Sequence, residues 1–166
     1  MSDTALSPVL PVTSDALPAI LELNNEHARE LSWLEPERLA HLVSEAFWTA
    51  RVGEADAFLL TFDQDADYDS PNFLWFRDRY PRFVYVDRIV VAKHARGRGL
   101  ARKLYEQVFA RAQAAGHSVV GCEVNFNPPN PESDAFHAAM GFEEAGLADV
   151  YGGERTVRYL IRRLQA

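Results

Sequence analysis

Apolar positions along the chain switch between the spacing of strands and the spacing of helices, which predicts a mixed α/β protein. The most informative stretch begins at Val84, where β-branched residues first alternate with polar ones and then run continuously, as in a buried strand. Leu100, Leu104 and Val108 recur at the spacing of a buried helix face. The basic, glycine-bearing segment between them, Lys93–Gly99, is typical of a turn.

The flanking pattern predicts a central mixed sheet of about seven strands with about four helices. The other predicted elements are a strand at 9–13, helices at 15–27 and from Pro36, a hairpin at 47–62, a strand at 118–124, a helix from Asn130 to Met140 and a hairpin at 142–164. A strand–helix crossover joins the strand at Val84 to the strand at 118–124, so we expect these two strands to be parallel. Asn130 followed by Pro131 indicates an N-cap with proline in the first helical turn.

Residues 63–82 fit neither spacing. Aspartates alternate from Asp63 to Asp69, and an aromatic group around Trp75 follows them. A calcium loop is excluded, because its sixth and twelfth positions hold Tyr68 and Leu74 instead of glycine and glutamate. Long loops in compact domains often bind ligands. The segment is therefore either a substrate loop, with Trp75 facing the acceptor, or a set of aromatic side chains that pack internally or form a dimer.

Composition limits the function classes without choosing one. The length of 166 residues and the ordinary apolar content predict one domain, residues 1–166. No apolar run reaches membrane-spanning length and the first residues lack a signal-peptide pattern, so we expect a cytoplasmic location and no membrane partner. The net charge of −7 argues against nucleic acid and fits a cationic partner. The single cysteine, Cys122, excludes an internal disulfide and is expected to be a packing residue.

Basic residues are concentrated in and after the predicted turn. They are Lys93, His94, Arg96, Arg98, Arg102 and Lys103. A strand that leads through a glycine-rich turn into a helix presents backbone N–H groups and the positive end of the helix dipole, which together favour phosphate. The sequence therefore predicts one anionic ligand at this turn.

Two motifs at the right spacing resemble the GCN5-related N-acetyltransferases (GNAT superfamily). Residues 96–101 fit the R/Q-x-x-G-x-G/A signature, between the fourth strand and the helix that follows it. The Asn130-x-x-Ser133 helix start and Phe136-His137, followed by Gly141-Phe142, are similar to the second cofactor motif of that family. The resemblance is strong over residues 84–145 and implies a GNAT-like fold, with the sheet splayed between strands 4 and 5.

The resemblance also implies an acetyl-CoA-dependent N-acetyltransferase and a set of cofactor contacts. The backbone from Arg96 to Arg102 would hold the pyrophosphate, and the backbone of Ile89, Val90 and Val91 would pair with the pantetheine arm. The residues implied in cofactor binding are Ile89, Val90, Val91, Arg96, Gly97, Arg98, Gly99, Leu100, Ala101, Arg102, Asn125, Asn130, Ser133, Phe136 and His137.

Acyl transfer to an amine needs a base for the amine proton, a donor for the oxyanion, expected near Val91, and an acid for the leaving thiolate. His137 occupies a position where many members of the family carry a tyrosine acid, so it is either an acid or a packing residue. Glu123 is the first candidate base, because a carboxylate within an apolar strand needs a task or a partner. Asp87 competes for that role, and Tyr105 and Tyr151 are weaker candidate acids.

The acceptor is expected to be a cationic amine on a small molecule or a peptide N-terminus. Asn25 and Glu26 lie at a polar helix end that is either solvated or a substrate-facing wall, and Tyr85 is a further candidate contact. The histidines outside the second motif show no ligand spacing, so no metal is predicted. Two alternatives stay open, a catalytically silent acetyl-CoA sensor and an acyltransferase for longer acyl groups, and a homodimer is possible in each case.

Overall fold

The computed structural model describes residues 8–28, 31–127, 129–150 and 152–165. Within these ranges the chain forms seven strands and five α-helices. In chain order they are β1 (Val9–Pro11), α1 (Leu17–Glu26), α2 (Pro36–Glu45), β2 (Trp48–Val52), β3 (Ala57–Asp63), α3 (Pro71–Arg77), β4 (Phe83–Val91), α4 (Leu100–Ala114), β5 (Val119–Asn127), α5 (Pro131–Ala139), β6 (Glu143–Val150) and β7 (Arg155–Arg163).

The strands follow the order β1-β2-β3-β4-β5-β7-β6 in one mixed sheet. The expected parallel pairing of β4 with β5 is confirmed, and its register runs from Phe83 opposite Val119 to Tyr85 opposite Gly121. That register covers three residue pairs, although each strand is nine residues long. This short register is the splay that the family resemblance implies.

Glycines end the two helices that follow β4 and β5. Gly116 has φ +84°, and the amide of His117 donates to the carbonyl of Ala112 while Gly116 donates to Gln113. This pair of bonds is the Schellman motif, which satisfies the last carbonyls of α4. The same motif closes α5, where Gly141 has φ +88°. Asn130 caps the start of α5 by accepting from the amide of Ser133 at 3.2 Å, as the sequence predicts.

The chain packs as two compact units, Met1–Asp67 with Val86–Val108 and Tyr68–Tyr85 with Phe109–Ala166. In the first unit, β1, β2 and β3 are antiparallel. The helices α1 and α2 bury Ile20, Leu39 and Leu42 almost completely. Since five of the seven residues of β3 are wholly inaccessible hydrophobics, this strand is part of the core.

The second unit contains a helix that was not predicted from the sequence. Pro71–Arg77 forms α3 in the segment where a loop was expected, which makes five α-helices instead of about four. Phe73 and Phe76 are fully buried. Phe76 approaches β5 so closely that a Cβ at Gly121 would lie 2.3 Å from its ring. The aromatic side chains of this segment therefore pack internally, which was one of the two alternatives.

Candidate active site

The turn between β4 and α4 has the backbone geometry that is expected of an anion-binding loop. After a single 3₁₀ turn over Lys93–Ala95, the backbone passes through Gly97 with φ +81° and Gly99 with φ +72°. A Cβ at either glycine would have open space around it. These two positions thus need glycine for the left-handed backbone conformation and not for lack of room.

The backbone N–H groups of residues 97–102 lie in this turn and at the start of α4. The first regular helical bond is donated by Lys103 to Gly99 at 3.0 Å, so the N–H groups of residues 100–102 precede the hydrogen bonds of the helix. Consecutive unsatisfied N–H groups at the start of a long helix, with the dipole behind them, form a phosphate site. Leu100 is buried, so it can contribute only through its backbone.

The two arginines of the loop have different partners. Arg98 donates to the carboxylate of Asp56 at 3.3 Å and to the carbonyl of Ala95 at 3.4 Å, and His94 contacts the other oxygen of Asp56 at 3.0 Å. Arg96 donates to Nε2 of His27 at 3.4 Å. Arg102 pairs with Glu106 at 3.2 Å on the exposed face of α4, next to Ala101.

A buried polar network lies beside the part of β4 that is expected to contact the cofactor. Arg88 is 7% exposed and donates to Asp87 at 2.7 Å, to Asn24 at 2.9 Å and to Ser32 at 3.4 Å. Val90 is buried, whereas Ile89 and Val91 are half-buried. The carboxylate of Asp87, the competing candidate base, is thus part of this network through Arg88.

Glu123, the first candidate base, has a tyrosine as its partner. The hydroxyl of Tyr85 donates to Oε2 of Glu123 at 2.5 Å, and the Tyr85 side chain is almost wholly buried. Glu123 is half-buried and pairs in register with Tyr159 on β7. The structure thus brings two predicted site residues together and gives Glu123 a hydrogen-bond partner.

His137 lies on α5 within a packed environment. Its Nδ1 donates to the carbonyl of Ser133 at 2.7 Å, because a carbonyl oxygen can only accept, and its ring contacts Phe136 and Phe142 with centroids 5.4 Å away in each case. Burial lowers the pKa of His137 below its usual 6.5, against smaller raising effects of the Ser133 hydrogen bond and of Asp134. The neutral ring therefore carries its proton on Nδ1 and a lone pair on Nε2, whereas an acid at Nε2 would need a proton there.

Of the remaining predicted residues, Trp75 has aromatic contacts within the second unit. Trp75 stacks on Tyr159 with ring centroids 4.2 Å apart, and the guanidinium of Arg79 covers its ring at 4.1 Å. Asn125 is half-buried on β5. Tyr105, one of the weaker candidate acids, is buried in α4, and Tyr151 lies outside the described residues.

The polar end of α1 is mostly a structural support. Asn24 is fully buried and donates to Asn25 and to the carbonyl of Ser32. Asn25 bonds both backbone groups of Leu34 at 3.0 Å, so it holds the connection between α1 and α2. Neither residue is simply solvated, and sequence reasoning missed Asn24 and Arg88 because nothing in their spacing shows that α1 lies on β4.

Glu26 is exposed and lines a cavity of about 750 Å³ in the first unit. The cavity is lined by Ala19, Glu22, Leu23, Glu26, His27, Glu54, Ala55, Asp56, Ala92, Lys93 and His94. Its four carboxylates, on Glu22, Glu26, Glu54 and Asp56, outnumber the single lysine, Lys93, so the wall is acidic. Within the described part of the chain, no cluster of histidine, cysteine and carboxylate side chains could hold a metal ion, and Cys122 is buried.

Comparisons with known proteins agree with this architecture. The model of the Acetyltransferase (GNAT) family matches residues 25–142. The curated L-2,4-diaminobutyric acid acetyltransferase of Wolinella succinogenes is 28% identical over 69 residues, which are 42% of this chain and 40% of that protein. The match thus spans less than half the length of that relative. No helix in the described ranges is long and apolar enough to cross a membrane.

Solved acetyltransferases share the fold over almost the whole chain. The ribosomal-protein-S18-alanine N-acetyltransferase of Escherichia coli superposes with a TM-score of 0.72 at 16% identity, over 97% of this chain and 96% of that one. Chaetomium thermophilum Naa20, solved with a bisubstrate analogue, superposes with a TM-score of 0.75 at 20% identity, over 95% of this chain and 86% of that one. Salmonella typhimurium yncA, solved with its cofactor acetyl-CoA, superposes with a TM-score of 0.72 at 16% identity, over 96% of this chain and 95% of that one. At these identities the likeness concerns the fold.

Proposed function

Since this chain belongs to the acetyltransferase (GNAT) family of acetyl-CoA-dependent enzymes, we propose that it transfers an acetyl group to a primary amine of a small cationic molecule or a peptide N-terminus. The transfer takes place by direct attack of the amine while donor and acceptor are both bound. The single observation that carries the proposal is the glycine-bearing turn at residues 96–99, which leads into α4 so that the first backbone N–H groups of this helix precede its hydrogen bonds.

The residues of the loop fit the diphosphate of acetyl-CoA. The left-handed conformations at Gly97 and Gly99 turn consecutive amides in one direction, and α4 is 15 residues long, so its dipole adds a favourable field. The backbone of Ile89–Val91 precedes the loop directly and is the proposed partner of the pantetheine arm. Acetyl-CoA supplies a thioester, an acetyl group activated for transfer.

Glu123 is the proposed base. An amine is cationic at neutral pH and attacks only as the free base, so a carboxylate has to take its proton. The nitrogen of the free amine then forms a bond to the acetyl carbon, the carbon–sulfur bond breaks with its electron pair going to sulfur, and the second proton lost by the nitrogen passes to the thiolate or to solvent. The conjugate acid of this leaving group is a thiol with an ordinary pKa of about 8.5, so the thiolate can leave without being protonated first. We therefore propose that His137 stays neutral and positions α5, instead of donating a proton to the sulfur.

The acidic wall around Glu22, Glu26 and Glu54 supports a cationic acceptor. Carboxylates at a binding surface raise the local concentration of cations and lower the affinity for anions. The partly matching diaminobutyrate acetyltransferase acts, by its name, on an amino acid with a second amine. We propose that the acceptor here likewise carries more than one positive charge, or one ammonium group on a peptide N-terminus.

The test is a measurement of thiol release with product identification by mass spectrometry. The acceptors are L-2,4-diaminobutyrate, polyamines, aminoglycosides and peptides with different N-termini, each offered with acetyl-, propionyl- and butyryl-CoA. Acetylation of at least one amine, fastest with acetyl-CoA, is the expected result. Faster turnover of butyryl-CoA would identify a longer-chain acyltransferase. Binding of acetyl-CoA in calorimetry without acetylation of any amine in the panel or in cell extract would identify a sensor.

A further inference from the structure

We propose that His27 is a positioning residue for cofactor binding, because it holds the guanidinium of Arg96 at the start of the phosphate loop without neutralising its charge. The inference rests on the proposed function, in which this loop binds the diphosphate of acetyl-CoA. It assigns different tasks to the two arginines of the loop, with Arg96 as the cation for phosphate and Arg98 as a structural tie.

The hydrogen bonds of His27 determine its tautomer. His27 is 9% exposed at the end of α1, and its Nδ1 lies 3.0 Å from the carbonyl oxygen of Leu23, which can only accept. Nδ1 therefore carries the proton. The lone pair of Nε2 accepts from Nη2 of Arg96 at 3.4 Å, since a guanidinium can only donate. Both bonds are made by the neutral imidazole.

A neutral anchor differs from a carboxylate in its effect on the arginine. Arg98 donates to the carboxylate of Asp56, with both side chains about a third exposed or less, so its charge is compensated. For Arg96, the described residues provide a neutral nitrogen and no carboxylate within ion-pairing distance. Arg96 uses one N–H for the anchor and keeps its net positive charge and its remaining donors for phosphate oxygens.

The position of His27 explains how the anchor can be rigid. The imidazole is fixed by its own helix through the bond to Leu23, one turn earlier. Arg96 is exposed on the loop, where its long side chain would otherwise sample many rotamers. Holding one end of the guanidinium in advance reduces the ordering cost on cofactor binding.

The test measures binding of CoA by calorimetry, together with the KM for acetyl-CoA, the KM for the acceptor and the free energy of unfolding. Arg96→Gln should weaken CoA binding about tenfold or more, and Arg98→Gln about threefold or less. His27→Ala should weaken CoA binding about fivefold and leave the acceptor KM unchanged. His27→Gln should restore most of the affinity, because its amide oxygen can accept from Arg96.

S-acetylpantetheine, which lacks the diphosphate, separates positioning from a general structural effect. Under the proposal, His27→Ala changes the KM for acetyl-CoA but not the KM for S-acetylpantetheine. The proposal would be overturned if His27→Ala raised the KM equally for acetyl-CoA and S-acetylpantetheine, or if Arg96→Gln and Arg98→Gln weakened CoA binding equally. It would also be overturned if His27→Ala lowered the free energy of unfolding and left the CoA affinity unchanged. A wild-type protein that does not bind CoA would instead refute the proposed function.

Discussion

The hydroxyl of Tyr85 and the carboxylate of Glu123 form a hydrogen bond of 2.5 Å, the length of a charge-assisted bond to a carboxylate. Tyr85 pairs in register with Gly121, two residues before Glu123, so strand alternation puts Gly121 and Glu123 on the same face of β5. That face also meets Phe76 of α3. The carboxylate is therefore oriented by a phenol in aromatic surroundings, and under the proposed function Tyr85 acts on the reaction through Glu123.

Glu123→Gln should lower kcat about 100-fold, because an amide of the same size cannot take the amine proton. Tyr85→Phe is the matched variant and should lower kcat about fivefold, since it removes only the orienting bond. Initial rates of thiol release with acetyl-CoA and an accepted amine measure both. Calorimetric affinity for CoA should stay within about twofold. If Glu123→Gln retained wild-type kcat, the pair would be structural and another base would have to be sought.

Gly97→Ala and Gly99→Ala should each weaken CoA binding about tenfold. Alanine pays about 1–2 kcal/mol in the left-handed conformation, so the loop will relax away from the φ of +81° and +72° that aligns its amides. Gly152→Ala is the matched control, because Gly152 has φ +68°, open space around it and a place in the terminal hairpin. It should lower stability by a similar amount and leave CoA affinity unchanged, and a loss of affinity in all three variants would contradict the loop assignment.

Elements with a strong local signal could be predicted from the sequence. The strand, glycine-rich turn and helix around Arg96 are as expected because each depends on residues within a few positions, and so does the Asn130 cap. Helix α3 was missed because its seven residues are too few to show a helical period. Two signals of it were present. Ser70 followed by Pro71 fits a helix start, and Gly121 within a strand marks a close approach, here by Phe76.

The partners of the site residues could not be predicted, because they come from distant parts of the chain. Tyr85 and Glu123 are 38 residues apart, and Arg88 and Asn24 are 64 apart. Spacing in one sequence carries no information on which helix covers which strand. The polar run at Asn24–His27 was therefore interpreted as a surface, whereas Asn24 and His27 are buried and bonded to other elements.

Asn24→Ala should lower the free energy of unfolding by about 3 kcal/mol. The substitution leaves Nη1 of the charged Arg88 guanidinium without its amide partner in a buried place, and it also removes the part-buried bond to the carbonyl of Ser32. Asn25→Ala is the comparison, and it should cost about 1 kcal/mol, because the two bonds to the Leu34 backbone that it removes are part-buried and involve no charged group. Urea denaturation of the three proteins checks this order. A larger loss for Asn25→Ala would show that the connection between α1 and α2, and not the Arg88 network, limits stability.

The change of the unfolding free energy with pH should reveal the protonation of His137. Because burial lowers the pKa of His137 in the folded protein below the ordinary 6.5, the unfolded chain takes up the proton first as the pH falls. The stability that the neutral histidine contributes is therefore complete above about pH 6.5 and is lost progressively below it, at no more than about 1.4 kcal/mol per pH unit. His137→Phe cannot titrate and keeps an aromatic ring against Phe142.

Urea denaturation of both proteins at pH 7.5, 6.5 and 5.5 isolates this contribution, because every other histidine cancels in the difference. The wild type should lose stability relative to His137→Phe between pH 6.5 and 5.5 and show no such change between 7.5 and 6.5. Since a neutral, packed His137 has no proton to donate at Nε2, kcat of His137→Phe should stay within about threefold of wild type. If the stability of the two proteins instead changed equally with pH, and kcat of His137→Phe fell about a hundredfold, His137 would be established as the acid.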